Sequence, residues 1–529
     1  MLTLPLEPTD DLAAPIFNDA AGCKQWLAQL QLTNLRQAQG ILLSQIDELN
    51  RYPMRTSVRL EIMELLRETV GHVQHEFAKK LADKPLPLSE SEFEVLEQII
   101  RLWAAMSTGY RRCLQAHISG EIATSGALLC QRCICYGGLE ILEYLHAGYE
   151  FDNRLWRGLH ELYAHAETCD LHLAEVDDPL ASRPASCSAS YAKILLAAYA
   201  NPGQMTRWQY LHMLRWLDAW SDTLAIEDSY AKSKGDAQPL AVDLSGANGL
   251  LRTEGLQHHQ AMRYLAMVPV SKLLRVKTIL LLQGQTPPQV GLGDLADGAS
   301  CLELLGFLQR MWCEDGHKRT AIRRASSLTT QVCYKPEGIF AHLTGKPFKD
   351  SGLDSLALKQ IQTLGYVQTA KSLVAMGYPL EKWQMTNESI MGACMIRIDA
   401  SATRLRCRQL VAHRTGNSPY TMLCSVAWIR LMQDGRMQMG VRYLPGLPEA
   451  VRIHVPSINP SVASIYAPAF LLPPLPSIKT PASLIVPRDW FEARRIIEIL
   501  HPDKDATRVR MDICVERGLD YERIGYTAL

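Results

Sequence analysis

Four positively charged side chains lie within seven residues near the middle of the chain: Lys318, Arg319, Arg323 and Arg324. A guanidinium group is planar and always charged, and its fork of N–H donors pairs with two acceptors at once. Phosphate oxygens and the N7/O6 edge of guanine both present suitable acceptors. The chemistry of this cluster is therefore suited to a phosphate group or to guanine.

A second polar segment follows downstream between two predicted strands, with the sequence Asn-Glu-Ser-Ile-Met-Gly over residues 387–392. Asn and Ser side chains supply short, directional hydrogen bonds, and Gly lets a ligand approach the backbone closely. A turn between two strands selects similar residue types. The segment therefore indicates a ligand site only in combination with the arginines.

Together the two segments resemble the PilZ domain, a bacterial six-stranded β-barrel that binds cyclic di-GMP. The motifs of that family are R-x-x-x-R at the entrance to the barrel and D/N-x-S-x-x-G on a strand. They are matched here by Arg319, Arg323, Asn387, Ser389 and Gly392.

Later segments extend the resemblance over residues 318–446, about a quarter of the chain. Residues 404–411 resemble the strand that follows the second motif. Residues 424–430 and 439–444 resemble the W-x-R and G-V-x-x-L closing hairpin of the family. The resemblance implies a barrel over this range.

The resemblance also implies a role for each motif residue. Arg319 and Arg323 would hold a phosphate and a guanine edge, while Asn387 and Ser389 would hold the other guanine or its phosphate. Gly392 would leave space for the ring. Ordering of a basic linker around a dianionic ligand would then reorient the helical domain against the barrel.

Two features of this sequence qualify the match. Lys318 and Arg324 are additional cations that would suit an intercalated ligand dimer. Arg323 and Asn387 are separated by 63 residues, whereas the family usually has a few tens. If the helix predicted at 354–378 is an insertion between the first two strands, the motifs converge; otherwise the arginines lie in an ordinary solvated linker.

Other clusters of reactive residue types do not complete a site. Cys130 and Cys133 share a helical face but Cys135 does not, and no second cysteine pair supplies four ligands. The sequence also lacks a complete P-loop, dinucleotide fingerprint or nucleophile motif. We therefore expect no bound metal and no enzymatic activity.

The composition limits the class of protein. The 529 residues include 55 Lys plus Arg and 55 Asp plus Glu, which excludes a globally basic protein that binds nucleic acid directly. The 14 cysteines are scattered, which favours reduced thiols. No signal-peptide pattern or apolar stretch of membrane-spanning length is present. These features predict a cytoplasmic protein without a membrane span.

The N-terminal half has helical periodicity and few β-branched runs. We expect an all-α domain over 1–232, either a bundle or an array of helical hairpins, and a connecting region with further helices over 233–317. Ser89 followed by Glu92 predicts a capping box at a helix start.

Alternation and β-branched residues dominate after about residue 319. We predict a multidomain α + β protein with a PilZ-like antiparallel barrel over 318–446, then a Pro-rich segment and a C-terminal β extension over 447–529. Ten of the 28 prolines lie in 445–487, which predicts no interior strands there. The predicted strands are 328–334, 338–343, 383–386, 393–398, 405–413, 424–431 and 437–444.

Two functional hypotheses follow. The first is a bacterial effector that binds cyclic di-GMP at the barrel and linker and contacts an unidentified protein partner through its helical domain. The alternative is a protein-interaction scaffold whose degenerate barrel binds no nucleotide. The sequence chooses neither a downstream pathway nor an oligomeric state, so homo-oligomerisation stays open.

Overall fold

The computed structural model describes residues 2, 4–180, 183–230, 237–294, 297–314, 322–348, 370–416, 418–456, 465–501 and 505–529. These residues divide into two units. The described residues up to 314, apart from 85–87, form the first unit. Residues 85–87 belong with those from 322 onward in the second. A helical first unit and a second unit built on antiparallel strands confirm the predicted α + β class.

Ten α-helices are described in the first unit. Ser89 caps the fourth, where its hydroxyl accepts from the backbone N–H of Glu92 and the Glu92 carboxylate accepts from the Ser89 N–H. The predicted capping box is therefore confirmed. The helices are α1 Ala20–Gln29, α2 Leu35–Arg51, α3 Thr56–Ala78, α4 Glu90–Ile118, α5 Gly126–Ala147, α6 Arg154–Thr168, α7 Cys187–Tyr199, α8 Arg207–Ala219, α9 Met267–Leu282 and α10 Gly298–Leu308.

Helices α4 and α5 lie at the centre of this unit: α4 packs against α2, α3 and α5, and α5 packs against α6 and α7. The buried Arg132 on α5 donates to Glu64 (Nε–Oε1 3.0 Å) and to Asp178 (Nη1–Oδ2 3.1 Å). These bonds compensate a charge that would be costly to bury alone.

The predicted connecting region contains three strands of a four-stranded sheet in addition to helices α9 and α10, and the remaining strand, β1, lies at the end of the range predicted as all-α. The strands of this sheet pair in the order β1-β4-β2-β3. No strand was predicted there, because each strand is too short for alternation to show. The strands are β1 Ile226–Glu227, β2 Leu240–Asp243, β3 Leu251–Arg252 and β4 Met262–Leu265.

The second unit begins with a sheet of seven strands in the order β5-β7-β6-β9-β10-β11-β8. An additional pairing between β7 and β8 closes six of them, β6 to β11, into a ring. We call this ring the first barrel. The strands are β5 Arg324–Ala325, β6 Thr329–Tyr334, β7 Leu380–Ser389, β8 Gly392–Arg397, β9 Leu410–Thr415, β10 Met422–Leu431 and β11 Met437–Tyr443.

Two predictions in this region are corrected. Residues 338–343 are not a strand but lie in helix α11, Pro336–Thr344. Pro336 stands in its first turn and Gly345 caps its end at φ 70°, both favoured helix-boundary residues. The strand predicted at 405–413 starts only at residue 410. Most of the helix predicted at 354–378 lies outside the described residues, and its described end contains α12, Ala370–Ala375.

The C-terminal segment forms a second closed barrel, in the order β12-β13-β14-β17-β16-β15. The prediction that prolines exclude interior strands here is therefore wrong. Pro468 lies within β13, opposite Arg452 of β12 and outside the residues, Phe470 to Leu472, that pair with β14. The strands are β12 Glu449–His454, β13 Tyr466–Leu472, β14 Ser483–Pro487, β15 Ile496–Leu500, β16 Thr507–Arg517 and β17 Tyr521–Ala528.

Both barrels and α11 contribute to one buried cluster. Phe340 from α11 and Leu410 from β9 lie in it together with Phe470, Ile485 and Tyr521 of the second barrel. The helix that was predicted as a strand therefore supplies part of the core that joins the two barrels.

Candidate functional site

One arginine of the first motif, Arg323, meets the second motif where β5 pairs with the end of β7. Arg324 pairs with Glu388, and Ala325 pairs with Asn387. The half-buried Arg323 donates from Nη1 to Asn387 Oδ1 at 2.5 Å. One arginine of the first motif therefore contacts the asparagine of the second. Lys318 and Arg319 lie outside the described residues.

The strand pairing explains how 63 intervening residues leave this contact intact. Strand β5 pairs antiparallel with Glu388 and Asn387 near the end of β7. Strand β6 pairs antiparallel with the earlier part of β7, from Gln384 back to Leu380. The long connection, residues 335–379, leaves the end of β6 and enters the start of β7. Both attachment points, Tyr334 and Leu380, lie at the opposite end of the ladder from Arg323, so the register at Arg323 does not depend on the length of the connection.

The hydroxyl of Ser389 is used within its own turn. It donates to the carbonyl oxygen of Gly392 at 3.2 Å and accepts from the Met391 N–H at 3.3 Å. These are bonds that an ordinary turn between two strands makes. The ligand-binding role of Ser389 stays a prediction.

Gly392 is required by the packing of neighbouring backbone. A Cβ atom at this position would lie 2.1 Å from the carbonyl oxygen of Val441 on β11. The absence of a side chain thus allows β8 and β11 to pair closely at Gly392 and Arg442. Its predicted second role, as space for a ligand ring, is untested.

The charges at the site are mixed. Arg324 is exposed and adds a second described cation. Between Asn387 and Ser389, the Glu388 carboxylate accepts from the hydroxyl of Tyr443 at 2.6 Å. Burial and the neighbouring Glu388 raise the pKa of Tyr443 far above its usual value. Tyr443 therefore remains a hydrogen-bond donor that holds Glu388.

Exposed apolar side chains flank the polar groups. Ile322 is 90% exposed and Ile390 is 84% exposed, and each lies next to a motif residue in sequence. Burying either side chain against a planar ring would remove apolar surface from water. The site therefore presents guanidinium donors, an amide and apolar surface.

The segments that resemble the closing hairpin pair as expected, in β10 and β11. Trp428 lies opposite Gly440 after an irregularity in the register. A Cβ on Gly440 would lie 2.2 Å from the Trp428 Nε1, so the indole packs directly over this glycine. Trp428 can therefore occupy this position only if residue 440 is a glycine.

Cys130, Cys133 and His160 are buried in the helical unit. Cys130 and Cys133 are buried, and burial raises the pKa of Cys130 to about 12, which keeps it a thiol. His160 bonds the Tyr191 hydroxyl and the Asn248 carbonyl. Within the described ranges, no three His, Cys, Asp or Glu side chains are grouped to hold a metal ion.

None of the helices in the described part of the chain combines the length and the apolar character that crossing a bilayer requires.

Family models match both ends of this chain. Residues 20–232 match the model described as the N-terminal domain of the cyclic-di-GMP receptor FimW, and residues 456–529 match the FimW C-terminal beta-barrel domain. The chain is therefore similar to the FimW family in both of these ranges. The first covers helices α1 to α8 and the second covers strands β13 to β17, so neither range includes the Arg323 site.

A relative from Pseudomonas aeruginosa PAO1 aligns over nearly the whole chain. It is the cyclic-di-GMP receptor FimW, 22% identical over 533 aligned positions that cover 91% of this chain and 86% of the relative. That alignment is far longer than the PilZ resemblance. A closed barrel was not predicted for the C-terminal residues, although the alternation over 507–511 was a signal for it.

Proposed function

We propose that this protein is an effector that binds cyclic di-GMP at the edge of the first barrel, where β5 meets β7. The observation that carries the proposal is the 2.5 Å hydrogen bond from Arg323 Nη1 to Asn387 Oδ1. It brings a guanidinium fork and an amide to one place. Both groups are suited to guanine edges and phosphate oxygens.

The charges support a small anionic ligand rather than a polyanion. Arg323 and the exposed Arg324 stand beside one carboxylate, Glu388, in a chain with zero formal net charge. Arg319 and Lys318, which the sequence places a few residues upstream, would add two further cations. A dinucleotide with two phosphates would offset two of the three excess positive charges that result.

The comparisons support the same ligand. The P. aeruginosa relative is a cyclic-di-GMP receptor, and the family model for the helical region carries the same description. The closed six-stranded first barrel is consistent with a PilZ-like domain and agrees with the motif resemblance. We therefore regard the first barrel as the PilZ-like ligand-binding element of a FimW-type receptor.

Three further features of the effector hypothesis remain proposals. They are coupling of the ligand to the helical domain through the basic linker, a protein partner for that domain, and a cytoplasmic location. The receptor description of the relative supports a signalling role rather than an enzymatic one.

Calorimetric titration of the full chain with cyclic di-GMP tests the site. We expect Arg323→Ala to weaken binding roughly 10- to 100-fold, because one guanidinium–base or guanidinium–phosphate contact is lost. Arg436→Ala is the matched control: Arg436 is an exposed arginine of the β10–β11 turn that pairs with Asp434. It should bind as the parent does.

Two outcomes would count against the proposal. Tens of micromolar is roughly the Kd of a weak specific site. An absence of binding by the parent chain at that concentration of cyclic di-GMP would favour the scaffold alternative. Equal weakening in both arginine variants would indicate general charge attraction. Circular dichroism of each variant checks that the fold is intact.

A further inference from the structure

A second group of cationic side chains surrounds a cavity of about 500 Å³ elsewhere in the barrel-containing unit. Three chain segments bring them together: the turn from β6 to α11, the segment before β9, and the end of β14. The cavity contains none of the motif residues of the proposed cyclic di-GMP site. Its cationic lining residues are Lys335, Arg404, Arg406 and Arg488.

Carbonyl groups hold two of these arginines in place. Arg404 donates from Nε and Nη2 to the Pro85 carbonyl at 3.1 and 2.7 Å. Arg488 donates from Nη1 to the Gly518 carbonyl at 2.7 Å and also pairs with the exposed Asp489. Because a carbonyl is neutral, the carbonyl contacts orient the guanidinium groups without cancelling their charge, whereas Asp489 offsets part of the charge of Arg488.

Arg406 and Lys335 are less constrained. Arg406 is half-buried and Lys335 is exposed. Among the described residues, neither side chain has a hydrogen-bond or ion-pair partner. Both charged groups are therefore available to an anion that enters the cavity.

The N-terminus of α11 faces the same cavity through Lys335, Pro336 and Glu337. Lys335 precedes the helix at φ 62° and makes no side-chain cap. Free N–H groups in the first turn of a helix carry partial positive charge and bind anions. The partial positive charge of this helix end adds to the positive charge of the four side chains.

Two carboxylates, Glu337 and Asp520, offset part of the positive charge. Asp520 Oδ1 already accepts from the Leu410 N–H at 2.8 Å. Among the lining residues, four cations against two carboxylates leave an excess of positive charge, of which the exposed Asp489 beside Arg488 offsets a part. A phosphate monoester, with a charge of about −1.5 to −2 at neutral pH, would balance it.

We propose that this cavity binds the phosphate group of a small phosphorylated molecule, at a site separate from the Arg323–Asn387 contact. A volume of about 500 Å³ is within the range of small-molecule sites, roughly 300–1,000 Å³. The cavity therefore has room for more than the phosphate. Pro336 and Leu519 supply apolar lining for the remainder of the ligand.

Titration of the full chain with inorganic pyrophosphate and with guanosine monophosphate tests the proposal. We expect both probes to bind, and Arg406→Gln to weaken both by about tenfold or more, the cost of losing one hydrogen bond to a charged group. Arg436→Gln removes the same charge outside the cavity and should leave binding unchanged. Lys335→Gln is a second test if Arg406→Gln fails to fold.

The outcomes separate this site from the proposed receptor site. Loss of pyrophosphate binding in Arg323→Ala but not in Arg406→Gln would overturn the proposal, as would no binding at millimolar pyrophosphate or equal weakening in Arg436→Gln. Tighter binding of guanosine monophosphate than of pyrophosphate would support a nucleotide ligand, and equal binding would support recognition of phosphate alone. A failure of cyclic di-GMP to bind would leave these results unaffected.

Discussion

The two barrels of this protein each bury a glutamate but pair it differently. In the first, Glu381 on β7 forms an ion pair with Arg397 on β8 (Nε–Oε2 3.2 Å), and the two residues are 5% and 9% exposed. In the second, Glu522 on β17 is fully buried, but its arginine partner, Arg517, has a side chain that is 49% exposed. The first barrel therefore depends on charge pairing more than the second barrel does.

Aromatic residues surround the first pair. Tyr334 donates its hydroxyl to Glu381 at 2.7 Å, and Trp383 donates from Nε1 to that hydroxyl at 2.8 Å. The Arg397 guanidinium also lies 5.0 Å from the centre of the Trp383 ring. Because β7 also carries Asn387, this network fixes the strand that holds the candidate ligand site.

The largest effect should follow Glu381→Gln. The substitution leaves Arg397 buried without its counter-charge, so we expect the free energy of unfolding to fall by about 3–5 kcal/mol. Urea unfolding followed by tryptophan fluorescence measures the change. A loss below about 1 kcal/mol, the level of an exposed ion pair, would contradict the view that the first barrel depends on this pair.

The second prediction concerns Asp520, which precedes β17 and bonds to β9 of the first barrel. Burial raises its pKa to about 6, with a smaller contribution from Glu337. Between pH 4 and 6, roughly the interval between the usual and raised values, the folded protein keeps a proton that the unfolded chain releases. The carboxyl therefore makes the protein less stable as the pH rises through this range.

Asp520→Asn should remove that loss while keeping an acceptor for the Leu410 N–H. We expect the variant to gain up to about 3 kcal/mol relative to the parent between pH 4 and 7. Burial also lowers the pKa of His413 to about 4. The lowered pKa of His413 makes the protein more stable as the pH rises, which is the opposite direction. The effect is the same in the parent and the variant, so it cancels in the difference between their free energies of unfolding. A difference that does not vary with pH would refute the assignment.

The smallest effect should follow Glu522→Gln, the matched substitution in the second barrel. Arg517 can return to water, and the Gln side chain can still accept from the Phe491 N–H, which bonds Glu522 at 2.8 Å. We expect a loss of about 1 kcal/mol or less in the same urea assay. A loss as large as that of Glu381→Gln would remove the distinction between the barrels.

Local patterns in the sequence predicted much of the first unit and of the ligand motifs. The capping box at Ser89 and the strands around Asn387 were predicted because their signals come from neighbouring residues. The strand predicted at 338–343 was wrong since apolar residues outweighed the boundary signals of Pro336 and Gly345. A C-terminal β extension was predicted, but its closure into a second barrel was not, because closure depends on strand pairing that a count of prolines does not reveal.

The sequence by itself determined which residue types are available: a basic cluster at 318–324, an Asn-x-Ser-x-x-Gly segment and zero net charge. Only the tertiary structure decided that Arg323 contacts Asn387, because that depends on the register of β5 and β6 along β7. It also decided that Lys335, Arg406 and Arg488 surround one cavity. Such groupings come from strand pairing between distant segments, which no local pattern encodes.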